Sequence, residues 1–170
     1  MTRVGNPRLW IVILIVAGVA QFVYLLGDLP ETVATDFDLA GRPDGWLSIR
    51  AFLVLNVAVV VAVAALFWFI PPILRRLPDD RFNLPHKDYW LAPERRAATI
   101  DWLGKRVLWF GVATQAFLVA VFGLGLRANL ADPPRLSMPT LWILLGGFLA
   151  LTVAWCASLI GKFRVTEGRS

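Results

Sequence analysis

Short acidic residues in the segment 29–50, which reads LPETVATDFDLAGRPDGWLSIR, have the spacing of a calcium-binding loop. The residues are Asp36, Asp38, Gly41 and Asp44, at positions 1, 3, 6 and 9 of an EF-hand-like loop. Positions 5 and 12 should also supply oxygen ligands, but they are Ala40 and Leu47. Aspartates near a glycine also form Asx-type turns on a hydrated surface, and we prefer that interpretation. The sequence therefore predicts no metal site and no cofactor.

The remaining reactive side chains give little support for catalysis. His86 stands beside Lys87 and Asp88, which would suit proton transfer, but a solvated loop histidine is the preferred interpretation. No serine, cysteine or lysine is paired by sequence with an evident base, and no glycine-rich phosphate loop follows a strand pattern. Cys156 is the only cysteine, which excludes an intramolecular disulfide, and we expect it to be a small buried apolar residue. The chain is not predicted to be an enzyme.

Three uncharged amides lie inside long apolar stretches, where each needs a hydrogen-bond partner. They are Gln21, Asn56 and Gln115. Gln21 lies five residues before the end of its apolar block and Asn56 five residues after the start of the next, so we expect these two amides to bond to each other. A transporter or channel would instead require all three amides to line a water-filled path.

A row of small residues occupies one face of the last apolar block. The row consists of Gly146, Ala150, Ala154 and Ser158, at every fourth position. Small residues at this spacing let another helix backbone approach closely. The row suits either packing within the chain or an oligomer interface, and packing within the chain is the preferred interpretation.

Four apolar blocks of 18 to 20 residues, none containing a charged residue, must position these side chains. They cover residues 9–26, 51–70, 107–126 and 141–160. Each is long enough to cross a hydrocarbon core of about 30 Å as a helix. The first block could instead be a signal peptide, but it is longer than a usual signal-peptide core and no small-residue cleavage motif follows it. The predicted fold class is therefore an all-α integral membrane protein, one domain of four transmembrane helices in a bundle.

Lysine and arginine are distributed unevenly among the segments between the blocks, which predicts the orientation. Thirteen lie in the N-terminal segment, the 71–106 segment and the C-terminal tail, whereas only four lie in the 27–50 and 127–140 segments. Both termini and the 71–106 loop are therefore expected on the cytoplasmic side, and the 27–50 loop outside. Since this asymmetry accounts for the basic charge, no nucleic-acid partner is expected.

Turn residues and prolines predict the structure of the two longest loops. The 27–50 loop should be compact, because Gly41, Pro43 and Asp44 favour turns. Pro71 and Pro72 are expected to end the second helix. A new helix should begin at residue 93, a proline suited to a first helical position, and run unbroken into the third block.

The segment 29–46 also carries a family resemblance. Its defining residues are Leu29, Pro30, Val33, Phe37, Gly41, Pro43, Asp44 and Trp46. They resemble the domain of unknown function in the N-terminal part of SdpI-type toxin-immunity membrane proteins, and the segment NLPHKDYWLAPERR, residues 83–96, resembles one in bacterial proteins that carry this domain. Asp36 stands where that family commonly has histidine, and the chain is shorter than the immunity proteins. The resemblance implies a membrane fold of this topology. We interpret the outer loop, including Pro30, Asp36, Asp38 and Trp46, and the basic cytoplasmic loop as interaction surfaces.

These observations favour a binding or accessory protein over a protein with chemistry of its own. We expect an immunity-like protein or a subunit of a membrane complex, in the cytoplasmic membrane of a bacterium. Its expected partners are the lipid bilayer and other membrane proteins. The alternative is a small transporter or channel component. Charged residues are absent from all four blocks, which argues against ion-coupled transport.

Overall fold

The structure, a computed structural model, describes residues 5–164 and is mostly helical. The long helices are α1 (Pro7–Leu25), α2 (Ile49–Arg76), α4 (Pro93–Ala128) and α5 (Met138–Arg164), and α3 (Lys87–Trp90) is a single turn. Each predicted apolar block coincides with one long helix, and all four helices are long and apolar enough to cross a bilayer. The helix that begins at Pro93 runs unbroken for 36 residues, as predicted.

Local capping residues determine where the first two long helices begin. The side chain of Asn6 accepts a hydrogen bond from the backbone N–H of Arg8 at 3.1 Å, and Pro7 opens α1. The Ser48 hydroxyl accepts a bond from the backbone N–H of Ala51 at 3.3 Å at the start of α2. Such caps satisfy N–H groups that have no partner inside the helix.

The prediction that Pro71 and Pro72 end the second helix is wrong, because α2 continues through both to Arg76. The fixed φ of proline is itself helical, so the cost lies in the lost hydrogen bond and the crowded preceding turn. Packing offsets this cost. Pro71 is buried against Gly104 of α4, where an added Cβ would lie 3.2 Å from the Cβ of Pro71.

Helix α4 is the centre of the assembly, and α1, α2 and α5 each pack against it. Two of its glycines allow this close approach. A Cβ at Gly111 would lie 2.6 Å from Cγ of Phe67 on α2, and one at Gly123 would lie 2.7 Å from Cδ of Gln21 on α1. The close-packed helix surface therefore belongs to α4.

Two short strands between α1 and α2 form a β-hairpin, which corrects the all-α prediction. Strand β1 (Thr32–Phe37) pairs antiparallel with β2 (Pro43–Ser48), and the register shifts between Ala34 and Asp36. Val33 and Ala34 lie before this irregularity, in regular register with Leu47 and Trp46, and both are buried. We call this side of the molecule, with residues 26–50 and 127–139, the hairpin end. The opposite side, with residues 71–106, the start of α1 and the last turns of α5, is the terminal end.

A small apolar cluster orders the connection between α2 and α4 at the terminal end. Phe82, Leu91 and Ile100 are buried together under residues from the last turns of α2. The guanidinium of Arg96 binds the carboxylate of Asp79 at 2.7 Å and the backbone oxygen of Leu77 at 2.8 Å. This loop is therefore folded onto α4.

Helix α5 lies at the edge of the assembly and packs chiefly on α4 through aromatic rings. Phe117 stacks on Phe148 with ring centroids 4.5 Å apart, and Phe110 stacks on Trp155 at 4.6 Å. Within the described residues, an added Cβ at Gly146 would contact no atom, and Ala150, Ala154 and Cys156 are exposed. The Ser158 hydroxyl bonds to its own helix, at the Trp155 oxygen. The preferred interpretation of this row as packing within the chain is therefore wrong, and so is the expected burial of Cys156.

Candidate functional site

Asn129, which follows α4, attaches the hairpin to the helices. Its side-chain oxygen accepts the N–H of Ala34 at 2.7 Å, and its side-chain nitrogen donates to the oxygen of Ala34 at 3.0 Å. The same nitrogen donates to the oxygen of Gly125 at 2.9 Å. Asn129 is 4% exposed and Ala34 1%, so these bonds are shielded from water. The amide thus pairs with the edge of β1 as a neighbouring strand would.

An apolar cluster lies directly beneath this attachment. Val33 of β1 packs on Phe22 and Leu25 of α1, Phe52 of α2 and Leu126 of α4. Val33 is 0% exposed, so the hairpin is an integral part of the fold. The hairpin therefore holds the ends of three helices in fixed positions.

The turn of the hairpin uses the carboxylate of Asp38 structurally. One Asp38 oxygen accepts the N–H groups of Ala40 and Arg42, both at 2.8 Å, which is an Asx-type turn. Gly41 adopts φ +75°, and an added Cβ there would collide with the backbone oxygen of Leu136. Among the described residues, no three His, Cys, Asp or Glu side chains gather in the way that a metal ion requires. The hydrogen bonds of Asp38 are those of the Asx-type turn that we preferred.

The other residues of the predicted interaction motif lie around the hairpin. Pro43 is the first residue of β2. Pro30, Asp44 and Trp46 are all exposed at the hairpin end. Asp36 is exposed, and its carboxylate accepts a bond from the Thr35 hydroxyl at 3.1 Å. Of the motif residues, Asp36 alone lines the cleft described next.

A cleft of about 530 Å³ opens between α2 and α5, with α4 as its floor and the hairpin as its roof. Its walls are apolar and include Leu55, Val59, Val121, Phe122, Leu124 and Leu141. Thr35 and Asp36 supply polar groups at the roof, and Asn56 supplies one on the wall. A concave, mostly apolar surface with a few placed polar groups is typical of a ligand site.

Asn56, on the wall of this cleft, has a buried hydrogen-bond acceptor without a partner. Its side-chain nitrogen donates to the Phe52 oxygen of its own helix at 2.7 Å, while its buried side-chain oxygen has no partner among the described residues. An acceptor without a partner in an apolar setting is costly. Because this oxygen is buried, the acceptor oxygens that the cleft offers to a bound molecule lie at its roof, on Thr35 and Asp36.

The structure does not pair Gln21 with Asn56, so that prediction is wrong. The Gln21 amide donates to the Val119 oxygen at 3.4 Å, and Asn56 bonds within α2. The two side chains share the wall of a small apolar cavity of about 40 Å³, which Gln115 does not line. Gln115 is 0% exposed and donates to the Val60 oxygen at 2.8 Å. The three amides therefore do not line one continuous path.

Sequence analysis missed two features that build this end of the molecule. Asn129 follows a predicted helix end, where an asparagine reads as a simple cap. The glycines of α4, at 104, 111 and 123, were available as a signal, because interior helix glycines cost stability unless close packing offsets it. His86, the other reactive residue considered, is exposed at the terminal end with φ 51°. It lies at the opposite end from the cleft.

Comparison with protein-family models, with curated proteins and with solved structures gave no match. The resemblance to SdpI-type proteins thus depends on the residues of segments 29–46 and 83–96 alone.

Proposed function

We propose that the chain is a non-catalytic binding protein of a bacterial cytoplasmic membrane, which receives a segment of a partner in the cleft at its hairpin end. Four long apolar helices support a multi-pass arrangement. The thirteen-to-four distribution of lysine and arginine supports cytoplasmic termini. In this orientation the cleft opens in the outer half of the membrane and its hairpin roof faces outward.

The cleft between α2 and α5 is the observation on which this proposal depends. Its apolar walls suit an apolar helix or peptide segment, and the exposed Asp36 carboxylate at the roof suits a donor on that segment. The negative charge around the roof indicates the charge of the partner. Between residues 27 and 50 the sequence has five carboxylates and two arginines, so the hairpin is acidic in a chain of net charge +5. We therefore propose an amphipathic partner with positive charge near its outer end.

An immunity-like role, in which the partner is a membrane-active peptide, is one form of this function. A subunit role, in which the partner belongs to a membrane complex, is the other. We do not propose a transporter, because Gln115 does not line the small cavity that Gln21 and Asn56 share, so the three amides do not line one path.

Site-specific photocrosslinking in intact cells tests the proposal. A photoreactive phenylalanine analogue replaces Leu55 on α2 or Leu141 on α5, which line the cleft from opposite walls. We expect both positions to yield the same discrete adduct, identifiable by mass spectrometry. Asp36→Asn and Arg42→Gln provide a charge comparison, in which only the first should weaken capture of a positively charged partner.

The matched controls lie on the same helices at similar depth but face away from the cleft. Val54 is 68% exposed and Ile143 is 74% exposed. Neither should give the adduct. If the controls give the same adduct, or if the cleft positions give only lipid adducts, the cleft is not a partner site and the proposal is wrong.

A further inference from the structure

A second cleft, at the terminal end, has different chemistry. It measures about 820 Å³ and lies over α4 between the start of α1 and the second half of α5. Its lining combines two cations with aromatic and aliphatic side chains. The residues used below are Lys105, Arg106, Trp109, Phe110, Leu151 and Trp155. We call this the basic cleft.

The cations of the basic cleft are not neutralised by carboxylates. Among residues 5–164, the ion pairs within 4.0 Å are Arg75 with Asp101 and Arg96 with Asp79, so neither Lys105 nor Arg106 belongs to one. The guanidinium of Arg106 lies 5.1 Å from the ring centroid of Trp102. That contact orients the group without removing its charge.

Tryptophan and phenylalanine rings fix the apolar part of the cleft. The indole N–H of Trp155 donates to the backbone oxygen of Arg106 at 3.3 Å, and its ring stacks on Phe110. This contact holds α5 against α4 at one side of the cleft. The surface of Phe110, Ala113 and Leu151 then continues from the cations toward the middle of the helices.

The depth of the cleft along the helices matches a membrane boundary. Lys105 and Arg106 immediately precede the apolar block 107–126, and Trp109 lies in its first turn. Tryptophan and basic residues are the side chains that concentrate where hydrocarbon meets the headgroup layer. A molecule in the basic cleft would thus have an anionic head at the cations and an apolar chain along Phe110 and Leu151.

We propose that the basic cleft binds an anionic phospholipid of the cytoplasmic leaflet, with its phosphate at Lys105 and Arg106 and an acyl chain on the apolar wall. Basic pockets between helices at this level are suited to anionic headgroups. This inference requires the chain to be in a membrane, as the proposed function does. It does not require the cleft at the hairpin end to be occupied.

Native mass spectrometry of the full chain in mild detergent tests the proposal with defined lipids. Phosphatidylglycerol and phosphatidylcholine, which differ in net charge, are titrated in parallel. We expect phosphatidylglycerol to bind preferentially, and the double variant Lys105→Gln, Arg106→Gln to lose that preference by about tenfold or more. A variant that narrows the apolar wall, Leu151→Trp, should weaken binding of the same lipid with both cations in place.

The matched control removes two positive charges elsewhere at the same end. Arg81→Gln, Lys87→Gln changes two exposed residues that have no ion pair within residues 5–164, and its lipid preference should equal that of the unaltered chain. An equal loss in both double variants would mean that general surface charge attracts the lipid, and the proposal would fail. It would also fail if inorganic phosphate displaced the lipid at similar concentration, because the site would then recognise phosphate alone.

Discussion

At the residue scale, Asn129 joins the hairpin to α4 through both backbone groups of Ala34. This one side chain satisfies a buried donor and a buried acceptor that would otherwise have no partner. Its importance depends on a contact 95 residues away, so no local pattern around Asn129 reveals it. By contrast, the role of Asp38 in the turn follows from its neighbours and was predictable from sequence.

Replacing Asn129 by alanine should destabilise the hairpin. The substitution leaves the N–H and C=O of Ala34 buried without partners, at a cost of about 2 to 4 kcal/mol in unfolding free energy. Hydrogen exchange at β1 should accelerate at the same time. Asn83→Ala is the control, because Asn83 is an exposed loop residue. Unchanged exchange at β1 in Asn129→Ala would show that the hairpin is held by apolar contacts alone.

Gln21 and Asn56 should contribute to stability independently. Each amide bonds to a different backbone oxygen, so a double-mutant cycle with Gln21→Leu and Asn56→Leu should give losses that add within about 0.5 kcal/mol. The cycle is measured by thermal or chaotrope unfolding in one detergent. A coupling free energy well above 1 kcal/mol would show that the two side chains meet, as their matching positions in the first two apolar blocks predicted.

At the element scale, hydropathy located the four long helices but did not show which helices pack against one another. Lipid tails are about as apolar as leucine, so a sequence pattern cannot separate a lipid-facing helix such as α5 from a central one such as α4. The strands were missed for another reason. Val33 and Ala34 are buried in succession, which hides the alternation by which a half-buried strand is recognised.

Substitution of glycine by alanine should lower the stability of the fold on α4 but not on α5. In Gly111→Ala the new Cβ would meet Phe67 near its backbone, which forces α2 and α4 apart at a cost of about 1 to 3 kcal/mol. In Gly146→Ala the new Cβ meets no described atom, so higher helix propensity should leave stability equal or raised by up to about 1 kcal/mol. Melting temperatures of the two variants and of the unaltered chain, each measured as a monomer, test this difference in stability. Equal destabilisation would place residue 146 in a contact.

At the scale of the whole molecule, the two ends differ in charge and in the chemistry of their clefts. The hairpin end is acidic around an apolar cleft with the Asp36 carboxylate at its roof. The terminal end has free cations beside tryptophan rings. Both proposed functions place the hairpin end outside and the terminal end at the cytoplasmic face of the membrane.

Thiol labelling of intact cells measures the orientation directly. Single cysteines replace Leu39, Ser137 or Asn83 in a Cys156→Ser background, since Cys156 is itself exposed. Leu39 is 85% exposed at the hairpin turn, Ser137 precedes α5, and Asn83 lies in the loop at the terminal end. Cysteines at 39 and 137 should react with a membrane-impermeant reagent, while the one at 83 should react only after the cells are permeabilised. Labelling at 83 in intact cells, with 39 and 137 protected, would contradict the orientation on which both proposed ligands depend.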